Sequence, residues 1–447
     1  MVNKKVSSKK SVKIKTKTAK DVVGELPASK APQLEKPEAA IEPQKGNISL
    51  TVDERLIPDA NLPTEYVEGV LDIAQEGSGL LRPSYAASDK DIYISASQIR
   101  RFNLKVGDKV GGQARRPKEN ERYWGLLKVE KINGREPDNI GERIELDDMV
   151  AVYPDSQIEL STGKDPLTTR VIDLIAPIGF GQRGLIVSPP KAGKTWLLKD
   201  IIAGIAKNYP EEEELKKSKK IAAHLMAVLI GERPEEVTDF KRHMASCTNN
   251  LGEVAASNFD EAPQDQTRVG ELALERAKRL VEMGEDVVVV LDSITRMARA
   301  YNLALPTSGR TLTGGFDPVA LFPAKRIFGA ARKIEGGGSL TIIGTCLIDT
   351  GSRMDDLIYE EFKGTGNMEL HLNRKLADKR VFPAIDISRS GTRQEELLYG
   401  KETLPKVVTV RKMLEMQPEE ERTESLLNVL SKTESNEEFL EKFKTLQ

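Results

Sequence analysis

Three groups of residues in this chain have the types and spacing that phosphoryl chemistry asks for. The first is GLIVSPPKAGKTWLLK, residues 184–199. An apolar run there feeds a loop holding Lys191, Gly193, Lys194 and Thr195, after which an apolar helical pattern resumes. Strand, loop and helix in that order make a phosphate cradle. Loop and helix N–H groups face the anion, the lysine reaches the β/γ oxygens, and the threonine hydroxyl is placed to ligate Mg²⁺. Ser188 stands where the first glycine of G-x-x-x-x-G-K-[ST] belongs. The second group is VVVVLD, whose carboxylate Asp292 lies 98 residues beyond Lys194; an apolar strand closing on an acid suits Mg²⁺ and its water at a sheet edge. The third is Glu232, which ends LMAVLIGE in the same way. A carboxylate there is positioned to polarise an attacking water, and a simple pairing with Arg233 is the competing reading.

Charge developing on a transferred phosphoryl needs a cation. DKRVFPAIDISRSGTR offers Lys379, Arg380, Arg389 and Arg393, and the sequence does not choose among them; a structural interface arginine is the alternative. Two glycine-bearing polar loops, LPTSGRTLTGGFDP with Arg310 and LIDTGSRMDD with Arg353, are candidate moving parts. His224, His243 and His371 have no partner spacing and read as structural.

The elements that must hold these groups follow from periodicity. GLIV, LMAVLIGE, VVVVLD and SLTIIGTCLI are continuous apolar runs alternating with helical patterns. Runs of that kind belong to strands buried on both faces, hence a parallel α/β sheet. Ahead of it, residues 66–150 carry five short alternating segments separated by Gly, Asp, Asn and Pro turns, the pattern of a small β-barrel. Within 98–122, eight Arg/Lys face three acids, and with Phe102, Tyr93 and Tyr123 interleaved they suit single-stranded nucleic acid, whose phosphates meet cations while its bases stack on rings. A solvated basic face over core aromatics is the plainer alternative. Residues 151–178, punctuated by Pro154, Pro166 and Pro177, read as a connector, residues 1–50 as a polar disordered tail, 211–220 as a charged surface insertion and 421–447 as a helical tail.

Composition bounds the class. A chain of 447 residues exceeds one domain, and a formal charge of −2 means that any basic footprint is local. Cys247 and Cys346 are far apart in sequence, which disfavours a disulfide scaffold and a zinc site. Neither a secretory h-region nor a membrane-length apolar run is present, so a cytoplasmic protein is expected.

GFGQRGLIVSPPKAGKT, LIGERPEEVTDF, VVVVLDSITRMARAYN, SGRTLTGGFDP, GTGNMELHLNRKLADKRVFPAID and SGTRQEELL, in this order, resemble the Rho family of bacterial transcription termination factors. The resemblance runs from Tyr66 to Tyr399. It implies a five-stranded OB-fold RNA-binding barrel over 66–150 and a RecA-like P-loop ATPase domain over 179–420. It also implies a homohexameric, RNA-dependent ATPase and RNA/DNA helicase that binds nascent single-stranded RNA, uses ATP and Mg²⁺, and terminates transcription, with RNA polymerase and elongation factors as further partners. By resemblance the nucleotide site comprises Gly179, Phe180, Gly181, Gln182, Arg183, Gly184, Lys191, Ala192, Gly193, Lys194, Thr195, Trp196 and Arg233, with Phe382 stacking on the base. Thr195 and Asp292 would hold the metal, Glu232 would be the base, Arg393 the arginine finger in trans, and Arg380 a phosphate sensor. The primary RNA site would be Gly77, Ser78, Gly79, Leu80, Leu81, Arg82, Asp91, Ile92, Tyr93, Glu121, Arg122 and Tyr123. The secondary site would use Arg310, Thr311 and Arg353. Ser78 and Leu80 stand where many members are aromatic, so weaker stacking is expected there, and Gly231 stands where an acid is common.

Two rivals make different demands. A DNA recombinase or rotary ATP synthase subunit would lack the basic run on its barrel and any preference for a 2′-OH. A nucleotide-switched RNA-binding protein would keep its function without Lys194.

Overall fold

The computed structural model describes residues 63–139, 143–211, 222–312 and 314–444. The expected tail 1–50, and the charged insertion apart from Glu211, lie outside them. By contacts the chain divides into Met1–Ala60, outside the described residues, and Asn61–Gln447.

In the second unit the first five strands close on themselves. β1 (Thr64–Ile73), β2 (Gly79–Arg82), β3 (Ile92–Ile94), β4 (Lys109–Arg115) and β5 (Trp124–Ile132) form a barrel in the order β1-β2-β3-β5-β4. These are the five segments expected from the sequence. Strand alternation sends Leu71, Leu81, Ile92, Ile94, Val110 and Val129 into one small core, as a barrel of this size requires. A short helix, α1 (Ala96–Arg101), links β3 to β4; the Ser95 hydroxyl caps Gln98 N–H while the Gln98 side chain accepts from Ser95 N–H.

Residues 151–178 are more than a connector. β6 (Ala151–Val152) pairs with β13 (Arg332–Ile334), and β7 (Gln157–Ile158) with β8 (Ile178–Gly179). Between them α2 (Leu167–Ile175) is buried along almost its whole length. These pieces are too short to announce themselves by periodicity, and their partners are distant in sequence.

The main sheet is built from β9 (Arg183–Ser188), β10 (Ala223–Glu232), β11 (Glu253–Asn258), β12 (Asp286–Asp292), β14 (Ser339–Leu347), β15 (Met368–His371) and β16 (Gly391–Thr392). Its order is β11-β10-β12-β14-β9-β15-β16, parallel along this path except for the last pair, and β13 and β6 join it antiparallel beside β14. Every residue of β10 is buried, which explains its unbroken apolar run. Crossovers include α3 (Lys194–Asn208), α4 (Pro234–Cys247), α5 (Pro263–Val281), α6 (Ile294–Ala304), α7 (Leu321–Gly329), α8 (Arg353–Lys363) and α9 (Arg374–Asp378). Parallel strands put the carboxyl ends of β9, β10, β12 and β14 on one edge, where ligands of open α/β sheets bind.

Three further helices, α10 (Thr403–Glu415), α11 (Glu419–Leu430) and α12 (Asn436–Lys444), complete the chain. The expected tail 421–447 begins inside α11 and is not separate from the core. Arg170 of α2, wholly buried, donates to Leu430 O, Thr433 O, Thr433 Oγ1, Ser435 O and Asn436 Oδ1 at 2.7–3.1 Å. A guanidinium with its donors satisfied in this way tolerates burial.

The barrel sits on α5. Arg276 Nη1 donates to Asn133 Oδ1 at 2.7 Å, Tyr85 donates to Glu253, and Asp72 of β1 pairs with Arg268. Gly107, at φ +89°, passes so close to α5 that a Cβ would lie 2.4 Å from the Glu275 carbonyl carbon; only glycine fits there.

Candidate functional site

The phosphate loop leaves β9 after Ser188 and enters α3 through Gly193, whose φ of +91° is the left-handed conformation glycine takes freely. A Cβ at that position would press on the Phe382 ring at 3.3 Å. The turn aims Lys194 across the sheet edge. Its Nζ donates to Asp292 Oδ1 at 2.5 Å and stands 3.8 Å from Glu232 Oε1. The Thr345 hydroxyl of β14 donates to the same Asp292 oxygen at 2.7 Å. Register explains the meeting: Asp292 lies opposite Leu229 of β10, so Glu232 projects three residues past it. The strand is irregular between Leu229 and Glu232, and Gly231 there takes φ +63°.

Lys194 and Glu232 line a cavity of about 480 Å³ together with Lys191, Thr195 and Arg233, and Asp292 is held against Lys194 at its edge. Its electrostatics are tense. Burial and the Asp292 charge push the Glu232 carboxyl up to about 7, against the pull of Lys194 and Arg296. Lys194 is desolvated too, but the two carboxylates hold its ammonium above the usual lysine range. Glu232 Oε1 faces Arg296 Nε at 3.1 Å without hydrogen-bond alignment, and this buried oxygen has no hydrogen bond. Among the described residues no cluster of three or more His, Cys, Asp or Glu is placed to hold a metal alone. The hard oxygens of Thr195 and Asp292 beside this cavity do fit a Mg²⁺ that takes its other ligands from phosphates and water.

A second cavity, about 670 Å³, adjoins the first through Gly193 and Trp196. Ala192, Trp196 and Phe382 line it, so Phe382 lies where a stacking base would sit. Arg380, the expected phosphate sensor, lines this cavity and not the phosphate cavity.

The stretch 179–184 is also displaced from expectation. Phe180 is buried with its ring edge-on to Tyr209 at 5.4 Å. Gln182 donates to Asn367, and Arg183 to the carbonyls of Thr365 and Ala331. None of Gly179, Phe180, Gly181, Gln182, Arg183 or Gly184 lines either cavity. They run from the end of β8 into the start of β9, whereas the phosphate loop follows the other end of β9, roughly 16 Å away at strand rise. Arg393 shares that far end: Thr392 pairs with Met368, which pairs with Gly184, and Arg393 N–H donates to Asn367 O. Arg393 and Arg332 lie close enough to Arg183 to depress its affinity for its proton, after burial.

On the barrel, alternation sorts the expected RNA residues. Leu81 and Ile92 point into the core, while Leu80 and Tyr93 form an outward cross-strand pair. Gly79 is buried, and Ser78 caps the Glu76 carboxylate at 3.4 Å beside Gly77. Arg82 pairs with Asp72 at 2.6 Å and Asp91 at 3.8 Å, and Asp91 is wholly buried. Glu121 takes a bidentate bond from Arg115, which holds its carboxyl down to about 2. Arg122 lies over the Tyr123 ring at 5.2 Å and meets Asp89 at 3.0 Å. The outward surface is thus Leu80, Tyr93, Arg122 and Tyr123, joined by Arg116 over Trp124.

The two glycine loops meet. Gly314 approaches α8 so closely that a Cβ would lie 2.8 Å from Met354 N, and Arg310, Thr311 and Arg353 are all exposed nearby in sequence. Sequence reasoning missed Arg296 and Arg299 on α6. Arg296 meets Glu232, and Arg299 grips buried Asp355, two residues after Arg353, at 2.8 and 2.7 Å. Their signal was their place in the first turns of the helix that opens just after Asp292.

Comparisons agree with this architecture. Residues 67–138 match the family described as Rho termination factor, RNA-binding domain, and residues 168–392 match the ATP synthase alpha/beta family, nucleotide-binding domain. The chain is 56% identical over 378 residues to transcription termination factor Rho of Bacillus subtilis (strain 168), covering 84% of each. It is 52% identical to that of Escherichia coli (strain K12), covering 85% of this chain and 88% of the relative. Among solved structures, a type III secretion ATPase of pathogenic bacteria superposes with TM-score 0.52 at 22% identity, covering 66% of this chain and 86% of that one. The assembled ATPase EscN of enteropathogenic E. coli gives 0.53 at 21%, covering 74% and 79%. Similarity at that level concerns the fold alone. No described helix is long and apolar enough to cross a membrane.

Proposed function

The chain belongs to the Rho family of transcription termination factors, and we propose that it is an ATP-driven translocase and helicase that ends transcription by pulling on nascent single-stranded RNA. One observation carries the reading: Lys194, paired with Asp292, and Glu232 converge on one cavity beside the phosphate loop, in the same compact unit as a barrel of the Rho RNA-binding family.

The parts divide the work. Loop N–H groups and Lys194 bind the triphosphate, whose base occupies the cavity lined by Phe382 and Trp196. Thr195 and Asp292 would hold Mg²⁺, which when bound neutralises phosphate charge. Glu232, raised to about 7, accepts a proton from the attacking water. Arg393 lies at the far end of its own sheet, which supports its supply to a neighbouring copy's phosphates in a ring. Residues 179–184 share that end and would face the same neighbour. Leu80, Tyr93, Arg122 and Tyr123 capture RNA on the barrel, and Arg310, Thr311 and Arg353 grip the threaded strand. The Arg299–Asp355 pair joins that grip to the helix bearing Arg296.

Steady-state hydrolysis tests the proposal. ATPase activity should rise severalfold on adding single-stranded RNA, and an RNA/DNA duplex with a free RNA tail should be unwound only with ATP. Hydrolysis indifferent to RNA would sink it. Arg393→Ala subunits mixed with Lys194→Ala subunits should regain part of the activity each lacks; no rescue at any ratio would return Arg393 to a structural role.

A further inference from the structure

The base cavity has a chemically one-sided wall. Trp196 and Phe382, 74% and 48% exposed, offer ring faces, and Leu197 and Ala384 supply apolar floor. The remaining polar lining is Arg380 on one part and, on another, Asp165, Thr168 and Asp200. Asp200 lies four residues beyond Trp196 on α3, so the two share one face of the helix a turn apart. The buried Thr168, on the first turn of α2, stands beside the Asp200 carboxylate. Burial nonetheless lifts that carboxyl above the usual aspartate range, with Thr168 and His243 of α4 pulling the other way. A half-buried carboxylate beside a stacking ring presents acceptors only. The partner that satisfies it is an N–H donor on the edge of a stacked base.

We propose that Asp200, which shares this wall with Thr168, reads the exocyclic amino group of adenine, making it the base-specificity residue of this site. The inference rests on the reading of this cavity as the base pocket. A site built to accept a hydrogen bond discriminates against the ligand lacking the donor, because its own polar group is then left unpaired.

The test compares ATP with purine riboside triphosphate, which differs only in lacking the amino group, by equilibrium titration and by KM on the full chain. The wild type should bind ATP about tenfold more tightly, the low end for a hydrogen bond to a charged group at a half-exposed site. In Asp200→Ala the gap should close to within about twofold with kcat for ATP kept, since binding and not chemistry is altered. Asp200→Asn, which retains an acceptor oxygen, should preserve part of the gap. Thermal melting of both variants checks that the half-buried position tolerates the change, and Asp200→Asn, nearly isosteric, keeps the comparison valid if Asp200→Ala melts early. A gap that persists undiminished in Asp200→Ala, or a wild type that binds both nucleotides equally, overturns this assignment and leaves the ATPase reading standing. A wild type that binds neither overturns both.

Discussion

The barrel's outward face and the sheet's carboxyl edge both await anions, yet they store charge in opposite ways. On the barrel, cations already have partners: Arg82 has Asp72, Arg115 has Glu121, Arg122 has Asp89 and Arg116 has Glu65. Two of these pairs, Arg122–Asp89 and Arg116–Glu65, are open to water, where ion pairs hold weakly and exchange readily. At the sheet edge the charges are buried and crowded, with Glu232 Oε1 lacking any hydrogen bond. The contrast teaches that a surface gripping a long polyanion trades one weak partner for another, whereas a catalytic cavity keeps its carboxylate in a costly state until substrate arrives.

Glu232→Gln probes the contrast most sharply. It should lower ATP turnover by roughly 10²–10⁴-fold, the usual worth of general-base catalysis, while equilibrium ATP binding stays near the wild-type value. Binding lost in step with turnover would make Glu232 a structural counter-ion like those on the barrel. Next comes pH. The base works ionised, and its carboxyl is raised to about 7, so kcat/KM should fall about tenfold between pH 8 and pH 6. A profile flat to pH 5 would show that the crowding at Lys194 and Asp292 leaves Glu232 untouched. The smallest effect belongs to the barrel. Arg122→Gln should weaken RNA binding modestly and reduce the salt slope of log K by about 0.7, one phosphate's share on a single strand. An unchanged slope would mean that Arg122 serves only Asp89 and Tyr123.

Local pattern made much of this molecule legible before any coordinates. The five barrel segments, the loop from Lys191 to Thr195, and the acids Glu232 and Asp292 each carry their meaning within a dozen residues of chain. What stayed hidden depends on direction or on distant pairing. Residues 179–184 adjoin the phosphate loop in sequence, but a strand separates its two ends in space. Leu81 and Ile92 sit among outward residues, and only the barrel's register turns them inward. Asp165, Thr168 and Asp200 come from two helices and a loop that converge only after folding. Ala151–Val152 pair with β13, far along the chain.

The buried guanidinium of Arg170 has a temporal consequence. Its acceptors belong to residues 430–436, some 260 positions downstream, so during synthesis this cation leaves the ribosome long before the groups that surround it. Until they follow, α2 cannot settle into the sheet without stranding a positive charge in an apolar interior. A chain halted short of residue 430 would therefore hold α2 without the acceptors that let its cation be buried.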